Sequence, residues 1–242
     1  MMSDTASISS VTVSPIGVIH SPYQEKFAVP RQPGLVNAIN AQLELLPPYN
    51  DPHCVRGLEA FSHLWLMFLF HQNGTAEWHP TVRPPRLGGN QRVGVFATRS
   101  PFRPNPIGLS VVELKGIHQQ GSRLWLELGG VDLVNGTPVV DIKPYVPFVD
   151  SVPDAQGGFA PEAPVTMPVC FTPEMEIRCA ELATSYPGFR DFLQQVIAQD
   201  PRPAYRKQDD DDKIYGVRLL TFNINWQVKD GTAIICAITD VE

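Results

Sequence analysis

The sequence lacks the features that mark membrane, secreted and zinc-binding proteins. No apolar run reaches the roughly 18 residues of a membrane helix, and the opening MMSDTASISS has neither the basic nor the apolar region of a signal peptide. The four cysteines are scattered and form no C-x-x-C pair, which argues against a disulfide framework and a zinc knuckle. These absences predict a soluble, cytoplasmic protein with no membrane partner.

The common nucleotide-binding and metal-binding patterns are also missing. There is no G-x-G-x-x-G after a strand and no G-x-x-x-x-G-K-[ST], so neither a Rossmann site nor a P-loop is predicted. Four of the six histidines fall between His53 and His79. His63 and His71 on one strand would lie about 26 Å apart at about 3.3 Å per residue, and no acid or cysteine stands at ligand spacing. We therefore predict no metal.

What the sequence does contain is proline, glycine and a local excess of arginine. The 24 prolines and 18 glycines among 242 residues favour β structure and shaped loops, and the length suits one large domain or two unequal ones. The net charge of −6 argues against a nucleic-acid partner. Between Pro80 and Val112, however, the chain has no acid and five arginines, which form a local site for anions: Arg83, Arg86, Arg92, Arg99 and Arg103.

A series of short strands is predicted in the first part of the chain. The run AFSHLWLMFLFHQNG is apolar on both parities, which is typical of a fully buried strand. Closely spaced short strands favour a closed or strongly curved sheet, so we predict a β-barrel over residues 11–150. The other predicted strands are Ile16–His20, Val93–Thr98, Leu109–Gly116, Leu124–Leu128, Val131–Val134 and Pro138–Ile142.

A smaller α+β domain is predicted over residues 165–242, after the small-residue linker SVPDAQGGFAPEAP at residues 151–164. It begins with a strand over Val165–Phe171. Thr172-Pro173-Glu174 is a typical helix start, and a second helix is predicted over Phe189–Gln199. Asp230-Gly231 predicts a hairpin in which Val228 faces Ala233 and Trp226 faces Ile235.

One stretch combines stiff backbone with positive charge: GVFATRSPFRPNPIGLSVVEL, residues 94–114. It could be a structural corner with Arg99 and Arg103 in solvent. Its three prolines have no backbone N–H to donate, and glycine would allow a turn more easily. We therefore favour the interpretation that the loop is rigid and holds its arginines in place for a carboxylate or phosphate.

Each of three other polar stretches has two possible interpretations. His71-Gln72-Asn73 ends the buried strand and would suit either a hydrogen-bonded turn or a ligand contact at a barrel mouth. Asn135-Gly136 is either a simple turn or a loop that presents Asp132 and Asp141 to a ligand. DPRPAYRK, residues 200–207, is either a proline-rich helix exit or a site for a phosphate and a stacked base.

Five long segments of the chain resemble the TsaA/TrmO-like family, in the family's order: IGVIHSPYQEKFAVPRQPG, VRGLEAFSHLWLMFLFHQN, RPPRLGGNQRVGVFATRSPFRPNPIGLS, DLVNGTPVVDIKPY and DPRPAYRK. The resemblance implies a tRNA methyltransferase that transfers a methyl group from S-adenosylmethionine to N6 of threonylcarbamoyladenosine at position 37 of threonine tRNA. It also implies a homodimer and a non-Rossmann, S-adenosylmethionine-binding β-barrel. A non-catalytic protein that binds RNA or senses S-adenosylmethionine is the alternative.

The resemblance also implies the site residues. Those near the tRNA and the target base would be Asp200, Arg202 and Tyr205, and the candidates for a general base are Asp132 and Tyr205. The family commonly has Asp where this chain has Asn135, which brings no negative charge. The cofactor contacts would be Gln32, Pro33, Gly34, His71, Gln72, Arg99, Leu109, Asp132, Leu133, Val134 and Asn135.

Overall fold

The computed structural model describes residues 10–73, 77–202 and 213–241, and within them the chain is mainly β, as predicted. The strands are β1 Gly17–His20, β2 Ala41–Leu45, β3 His63–Leu69, β4 Thr81–Val82, β5 Val93–Gly94, β6 Ile107–Gln120, β7 Arg123–Gly129, β8 Pro138–Pro144, β9 Val169–Phe171, β10 Tyr215–Leu219, β11 Phe222–Lys229 and β12 Thr232–Asp240. The α-helices are α1 Pro147–Asp150, α2 Pro173–Leu182 and α3 Phe189–Ala198. Short 3-10 helices lie at Lys26–Ala28, Pro52–Val55, Leu58–Ala60, His71–Asn73, Pro85–Leu87 and Val95–Ala97.

Six antiparallel strands close into a barrel in the order β1-β2-β7-β6-β3-β8, with β8 paired back to β1. Successive side chains of a strand point to opposite faces. In β3, accordingly, Leu64, Leu66 and Phe68 are buried while the residues between them are half-buried. The strand predicted as buried on both faces is therefore fully buried on one face only. The barrel core is filled mainly by Leu, Val and Ile side chains of all six strands.

The second sheet has the order β10-β11-β12-β9, with β9 parallel to β12. Helices α2 and α3 begin at the predicted residues and cover one face of this sheet. The predicted hairpin register is confirmed, because Val228 pairs with Ala233 and Trp226 with Ile235. The helix side chains that fill this second core are Cys179, Phe189, Phe192, Leu193, Val196 and Ile197.

One N-terminal segment joins the two cores. After β1, residues 21–40 leave the barrel, and Tyr23, Ala28 and Val36 are buried in the second core. Tyr23 forms an antiparallel bridge with Leu219, and its ring centroid lies 5.9 Å from that of Phe192. The second core is therefore built partly from chain that precedes most of the barrel.

Three predicted strands are corrected by the structure. Of Val93–Thr98 only Val93–Gly94 pairs, because residues 95–97 form a 3-10 turn. Val131–Val134 is an unpaired extended segment, and of Val165–Phe171 only the last three residues form a strand. Strands β2, β4 and β10 were not predicted from the sequence. No helix in the described ranges is long and apolar enough to cross a membrane.

A long excursion, residues 77–106, precedes β6; we call it the β3–β6 connection. Its regular structure in the described chain is the two-stranded ribbon β4–β5 and two 3-10 turns. A hydrogen bond links it to the end of the barrel, since the Asn73 side-chain amide donates to the Pro101 carbonyl oxygen at 2.8 Å.

Candidate active site

A cleft of about 180 Å³ opens at one end of the barrel, where β3 ends and β8 begins. Phe68, Phe70 and Val29 supply apolar wall, and Thr137 and the segment 132–134 supply polar atoms. A mostly apolar cleft with a few convergent polar groups is the usual form of a small-molecule site. The cleft contains residues from four of the stretches singled out from the sequence, which makes it the candidate active site.

Asp132 is the main acidic group of the cleft. It follows β7 and the turn at Gly130, and its Oδ1 accepts a 2.6 Å hydrogen bond from the Ser110 hydroxyl on β6. Burial raises the pKa of Asp132 to about 6, against the opposing effects of the Ser110 hydrogen bond and the Arg99 charge. A carboxyl with that pKa is mostly ionised at pH 7 and still basic enough to accept a proton.

Two glycines bring the Gln32–Gly34 loop against the segment that carries Asp132. The Gly34 N–H donates to the Gly130 carbonyl at 2.8 Å, and the two residues have φ of +76° and +66°. A Cβ at Gly130 would stand 3.1 Å from the Gly34 backbone. Only glycine combines this backbone conformation with so close an approach.

His71 and Gln72 lie on the 3-10 turn that immediately follows β3, at the edge of the cleft. Partial burial lowers the pKa of His71, and the nearby Lys26 charge lowers it further, so the imidazole is neutral at pH 7. The Lys26 ammonium donates to the Gln72 carbonyl oxygen. These contacts fix the turn and place a cation beside it.

The arginine-proline stretch forms a braced loop next to the cleft. The Arg99 guanidinium donates to Gln32 Oε1, which links this stretch to the Gln32–Gly34 loop. Arg103 donates to the Thr98 carbonyl oxygen at 2.7 Å, and the Thr98 hydroxyl donates to the Val95 carbonyl oxygen at 2.8 Å. Local hydrogen bonds therefore hold the backbone and one arginine, while Arg99 remains exposed at the surface.

Asn135 holds the turn behind the cleft and does not line it. Its Oδ1 accepts from the Ser21 N–H at 3.2 Å, and its side-chain amide donates to Gln24 Oε1 at 3.4 Å. The Ser21 hydroxyl donates to the Leu133 carbonyl oxygen at 2.7 Å. The Asn135 amide therefore serves the connection to residues 21–24.

Of the predicted site residues, His71, Gln72 and residues 132–134 line the cleft. Residues 32–34, Arg99 and Asn135 bond to neighbouring segments without lining it, and Leu109, Asp200 and Arg202 lie elsewhere. Leu109 is 52% exposed on the outer face of β6, opposite Met67, because only the alternate residues of that strand point inward. Asp200 and Arg202 bond to each other in the second domain, with Arg202 Nε 2.8 Å from Asp200 Oδ1. Tyr205 lies outside the described residues.

Two polar residues at the site were missed by sequence reasoning. Ser110 was recoverable, because Gly108, Ser110 and Val112 share the buried parity of β6 and a polar residue there needs a partner. Lys26 stands in an irregular proline-rich loop, and no local pattern points to it. Among the described residues, no group of three or more His, Cys, Asp or Glu side chains could hold a metal ion.

The glycine contact gives a direct test of the loop's role. Gly130→Ala and Gly121→Ala both place a side chain at positive φ, +66° and +60°, but at Gly121 nothing lies within 4 Å of the new Cβ. Gly121→Ala should lose about 1 kcal/mol of stability, and Gly130→Ala should lose more, because its new Cβ would stand 3.1 Å from the Gly34 backbone. Only Gly130→Ala should weaken binding of S-adenosylmethionine, the cofactor that the resemblance implies, by about tenfold or more in titration calorimetry. Equal affinities in the two variants would show that the loop contact does not shape the site.

Fold and cleft together define a class: a mainly β protein with a small α+β unit and an acid-bearing ligand cleft at the end of a closed sheet. Two family models match the chain: the N-terminal domain of tRNA-methyltransferase O over residues 18–151, and the C-terminal domain of the same family, TrmO, over residues 164–241. The chain belongs to the TrmO family.

Individual relatives agree with the family models. The chain is 58% identical over 224 residues to the Escherichia coli tRNA (adenine(37)-N6)-methyltransferase, an alignment that covers 92% of this chain and 95% of the relative. It is 48% identical over 216 residues to a Pseudomonas aeruginosa protein whose name refers to an S-adenosylmethionine-dependent methyltransferase, covering 89% of this chain and 91% of the relative. A crystal structure of TrmO from Pseudomonas aeruginosa superposes with a TM-score of 0.79 at 39% identity, covering 95% of this chain and 98% of that one.

Proposed function

We propose that this protein is an S-adenosylmethionine-dependent methyltransferase that modifies N6 of adenosine 37 in tRNA. The observation that carries the proposal is the 58% identity to the E. coli tRNA (adenine(37)-N6)-methyltransferase across nearly the whole of both chains. The cleft supports it, because Asp132 places a proton acceptor among apolar walls. Mass spectrometry of tRNA incubated with the protein and S-adenosylmethionine should show one added methyl on adenosine 37. An unchanged mass with folded, cofactor-loaded protein would contradict the proposal.

The residues of the cleft fit S-adenosylmethionine. The cofactor supplies a methyl group on a sulfonium, which an incoming nitrogen displaces. The Asp132 carboxylate suits a ribose hydroxyl or an amino group, while Lys26 and Arg99 supply cations for a carboxylate. The backbone crossing of Gly34 and Gly130 packs the 32–34 loop against the segment that carries Asp132, since a Cβ at Gly130 would stand 3.1 Å from the Gly34 backbone. The residues at 32–34, 71–72 and 132–134 would hold the cofactor in this arrangement.

Asp132 is also the best candidate for the general base. The lone pair of N6 is delocalised into the purine, so loss of its proton should accompany attack on the methyl. Acceptance of that proton by a positioned carboxylate is general-base catalysis, and most of the remaining acceleration would come from alignment of the reacting atoms. The raised pKa of Asp132, about 6, suits this role near pH 7.

The Ser110 hydrogen bond should set the acid limb of the rate profile. This bond lowers the pKa of Asp132, so Ser110→Ala should move the inflection of kcat upward by about one pH unit. The loss of activity should accordingly be larger at pH 6 than at pH 8.5. Ser122→Ala, at an exposed hairpin position, is the control and should leave the profile unchanged. An unshifted profile in Ser110→Ala would remove Asp132 as the group that titrates.

The substrate proposal extends to threonylcarbamoyladenosine in threonine tRNA, as the resemblance implies. Comparing threonine tRNA from cells with and without the threonylcarbamoyl modification tests it, since only the modified tRNA should accept the methyl. The non-catalytic alternative, an RNA-binding or S-adenosylmethionine-sensing protein, is not favoured, because the relatives named as methyltransferases match nearly the full chain.

We also propose that the protein acts in the cytoplasm, where its tRNA substrate is, and as a homodimer. Support for the dimer comes from exposed apolar residues on the outer face of the barrel and on α1, including Leu109 and Phe148, which are 52% and 87% exposed. Apolar side chains in such positions are commonly covered by a partner. Sedimentation equilibrium should give twice the chain mass, and a monomer at micromolar concentration would contradict the dimer.

A further inference from the structure

We infer that the β3–β6 connection, residues 77–106, is the surface that binds the anticodon loop of the tRNA. The inference rests on the proposed function and adds the location of the RNA. It starts from charge, because this stretch contains five arginines and a single acid, Glu77, in a protein whose net charge is −6. The excess of positive charge is therefore concentrated on one excursion from the barrel.

The grouping of the arginines distinguishes this surface from the rest of the described chain. Four arginines elsewhere meet acids, as when Arg123 Nε lies 3.0 Å from Glu44 and Arg190 Nε lies 2.7 Å from Glu176. The other described arginines that form no salt bridge with a described residue stand singly along the chain, at Arg31, Arg56 and Arg218. In the β3–β6 connection, no arginine forms a salt bridge with any described residue. Four of the five are exposed, and the fifth, Arg103, is half-buried. Exposed guanidinium groups that form no salt bridge are available for phosphates.

Exposed aromatic rings are interleaved with these arginines. Trp78 is 50% exposed, Phe96 76% and Phe102 44%. The Arg103 guanidinium lies over the Phe96 ring, 5.9 Å from its centroid. Aromatic rings and arginine planes in solvent are the usual stacking platforms for unpaired bases, which an anticodon loop provides.

The connection is held beside the cleft. Pro101 lines the cleft and accepts the hydrogen bond of the Asn73 side chain, and Arg99 contacts Gln32 of the adjacent loop. An RNA loop bound on this surface would therefore have its nucleotides next to Asp132. Because prolines and local turns stiffen the backbone, little ordering is needed when RNA binds.

The charge contribution is tested with Arg83→Ala/Arg86→Ala, which changes two exposed arginines that do not line the cleft. Its matched control is Arg56→Ala/Arg218→Ala, which removes two exposed arginines elsewhere. Fluorescence anisotropy with an anticodon stem-loop RNA should show Kd weakened about tenfold for the first pair only. The slope of log Kd against log salt should fall by about 1.5, since each phosphate contact contributes about 0.7 to 0.9. S-adenosylmethionine affinity, measured by calorimetry, should stay unchanged.

The stacking contribution is tested at Phe96. Phe96→Ala should weaken RNA binding about tenfold with an unchanged salt slope, and Phe96→Tyr should restore it, because stacking needs a ring and no charge. Phe159→Ala, at an exposed ring in the linker before the second domain, is the control.

The outcomes separate this inference from the proposed function. Weaker RNA binding by the Arg83/Arg86 variant, with intact cofactor binding and mass in sedimentation, supports the surface even if no methyl transfer is seen. Unchanged RNA binding overturns it even if the wild type methylates tRNA. A change of oligomeric mass in the variant also overturns it, because the surface would then be a contact between copies of the chain.

Discussion

Asp132→Asn is expected to lower kcat for methyl transfer by about 10²- to 10⁴-fold, the usual contribution of a general base. The amide keeps the shape of the side chain and its ability to accept from the Ser110 hydroxyl, but it cannot take a proton. Rates should be measured at pH 8 with saturating RNA and cofactor, so that binding losses do not enter. The inflection near pH 6 that we expect in the wild-type rate should be absent from the variant, because the titrating carboxyl is gone.

The same variant should be more stable than the wild type at neutral pH. Because the folded-state pKa of Asp132 is about 6, above its ordinary value of 3.8, the folded protein holds this proton more tightly than the unfolded chain does. The stabilisation is fully present below about pH 4 and is lost as pH rises through 6. Asp132→Asn should therefore raise the free energy of unfolding at pH 7.5 by about 1–3 kcal/mol and have little effect at pH 4.

Asp141→Asn is the control for both measurements. Asp141 is a barrel acid with a side chain that is 44% exposed and a carboxylate 2.9 Å from Lys143 Nζ, so its replacement should change neither rate nor stability by much. A rate for Asp132→Asn within about threefold of the control would rule out Asp132 as the base. A loss of stability at neutral pH would contradict the direction of its pKa shift.

Arg202→Ala should lower the free energy of unfolding by about 3–5 kcal/mol. The Arg202 side chain is 4% exposed, and its Nε and terminal nitrogen donate to the two oxygens of Asp200 at 2.8 and 3.2 Å. Removal of the guanidinium deprives a carboxylate that is only 15% exposed of this bidentate pair. Urea unfolding, with the slope compared between variants, measures the loss.

Arg178→Ala is the matched control for the Arg202 experiment. Arg178 also contacts acids, Glu181 and Asp240, but these pairs are exposed, so the loss should stay below about 1 kcal/mol. The double variant Asp200→Asn/Arg202→Met should recover most of the stability, since no buried charge remains and asparagine tolerates the φ of +50° at position 200. Equal losses for Arg202→Ala and Arg178→Ala would show that the Asp200 pair contributes little.

Elements with a local cause were predicted well from the sequence. Helix α2 starts where Thr172-Pro173 predicts it, and the last hairpin turns at Asp230-Gly231 with the predicted register. Such features depend on residues adjacent in sequence. Val131–Val134 was predicted as one of a run of short strands, and its side chains do alternate between buried and half-buried. Its backbone nevertheless bonds to side chains such as Ser21, a partner that no local pattern reveals.

The candidate site was predictable only in part for the same reason. His71-Gln72 and the arginine-proline stretch stood out as unusual local chemistry, and both lie beside the cleft. The Ser110–Asp132 hydrogen bond joins β6 to the segment after β7, and Lys26 arrives from a third region of the chain. Closure of the barrel brings these groups together, so their proximity depends on the tertiary structure and not on local sequence. Leu109 was misplaced because a strand's parity decides which side chain points inward.

The segment 21–40 makes the two halves of the molecule mutually dependent. Tyr23 and Val36, near its two ends, are buried in the helix-covered core, while Gln32 and Gly34 between them bond to Arg99 and Gly130 beside the cleft. An amino-terminal fragment ending near residue 150 would expose Tyr23, Ala28 and Val36 to solvent. The loop at residues 32–34 would then lose the packing that supports it. Destabilising the carboxy-terminal domain should therefore weaken ligand binding at the cleft, because that domain supports the segment beside it.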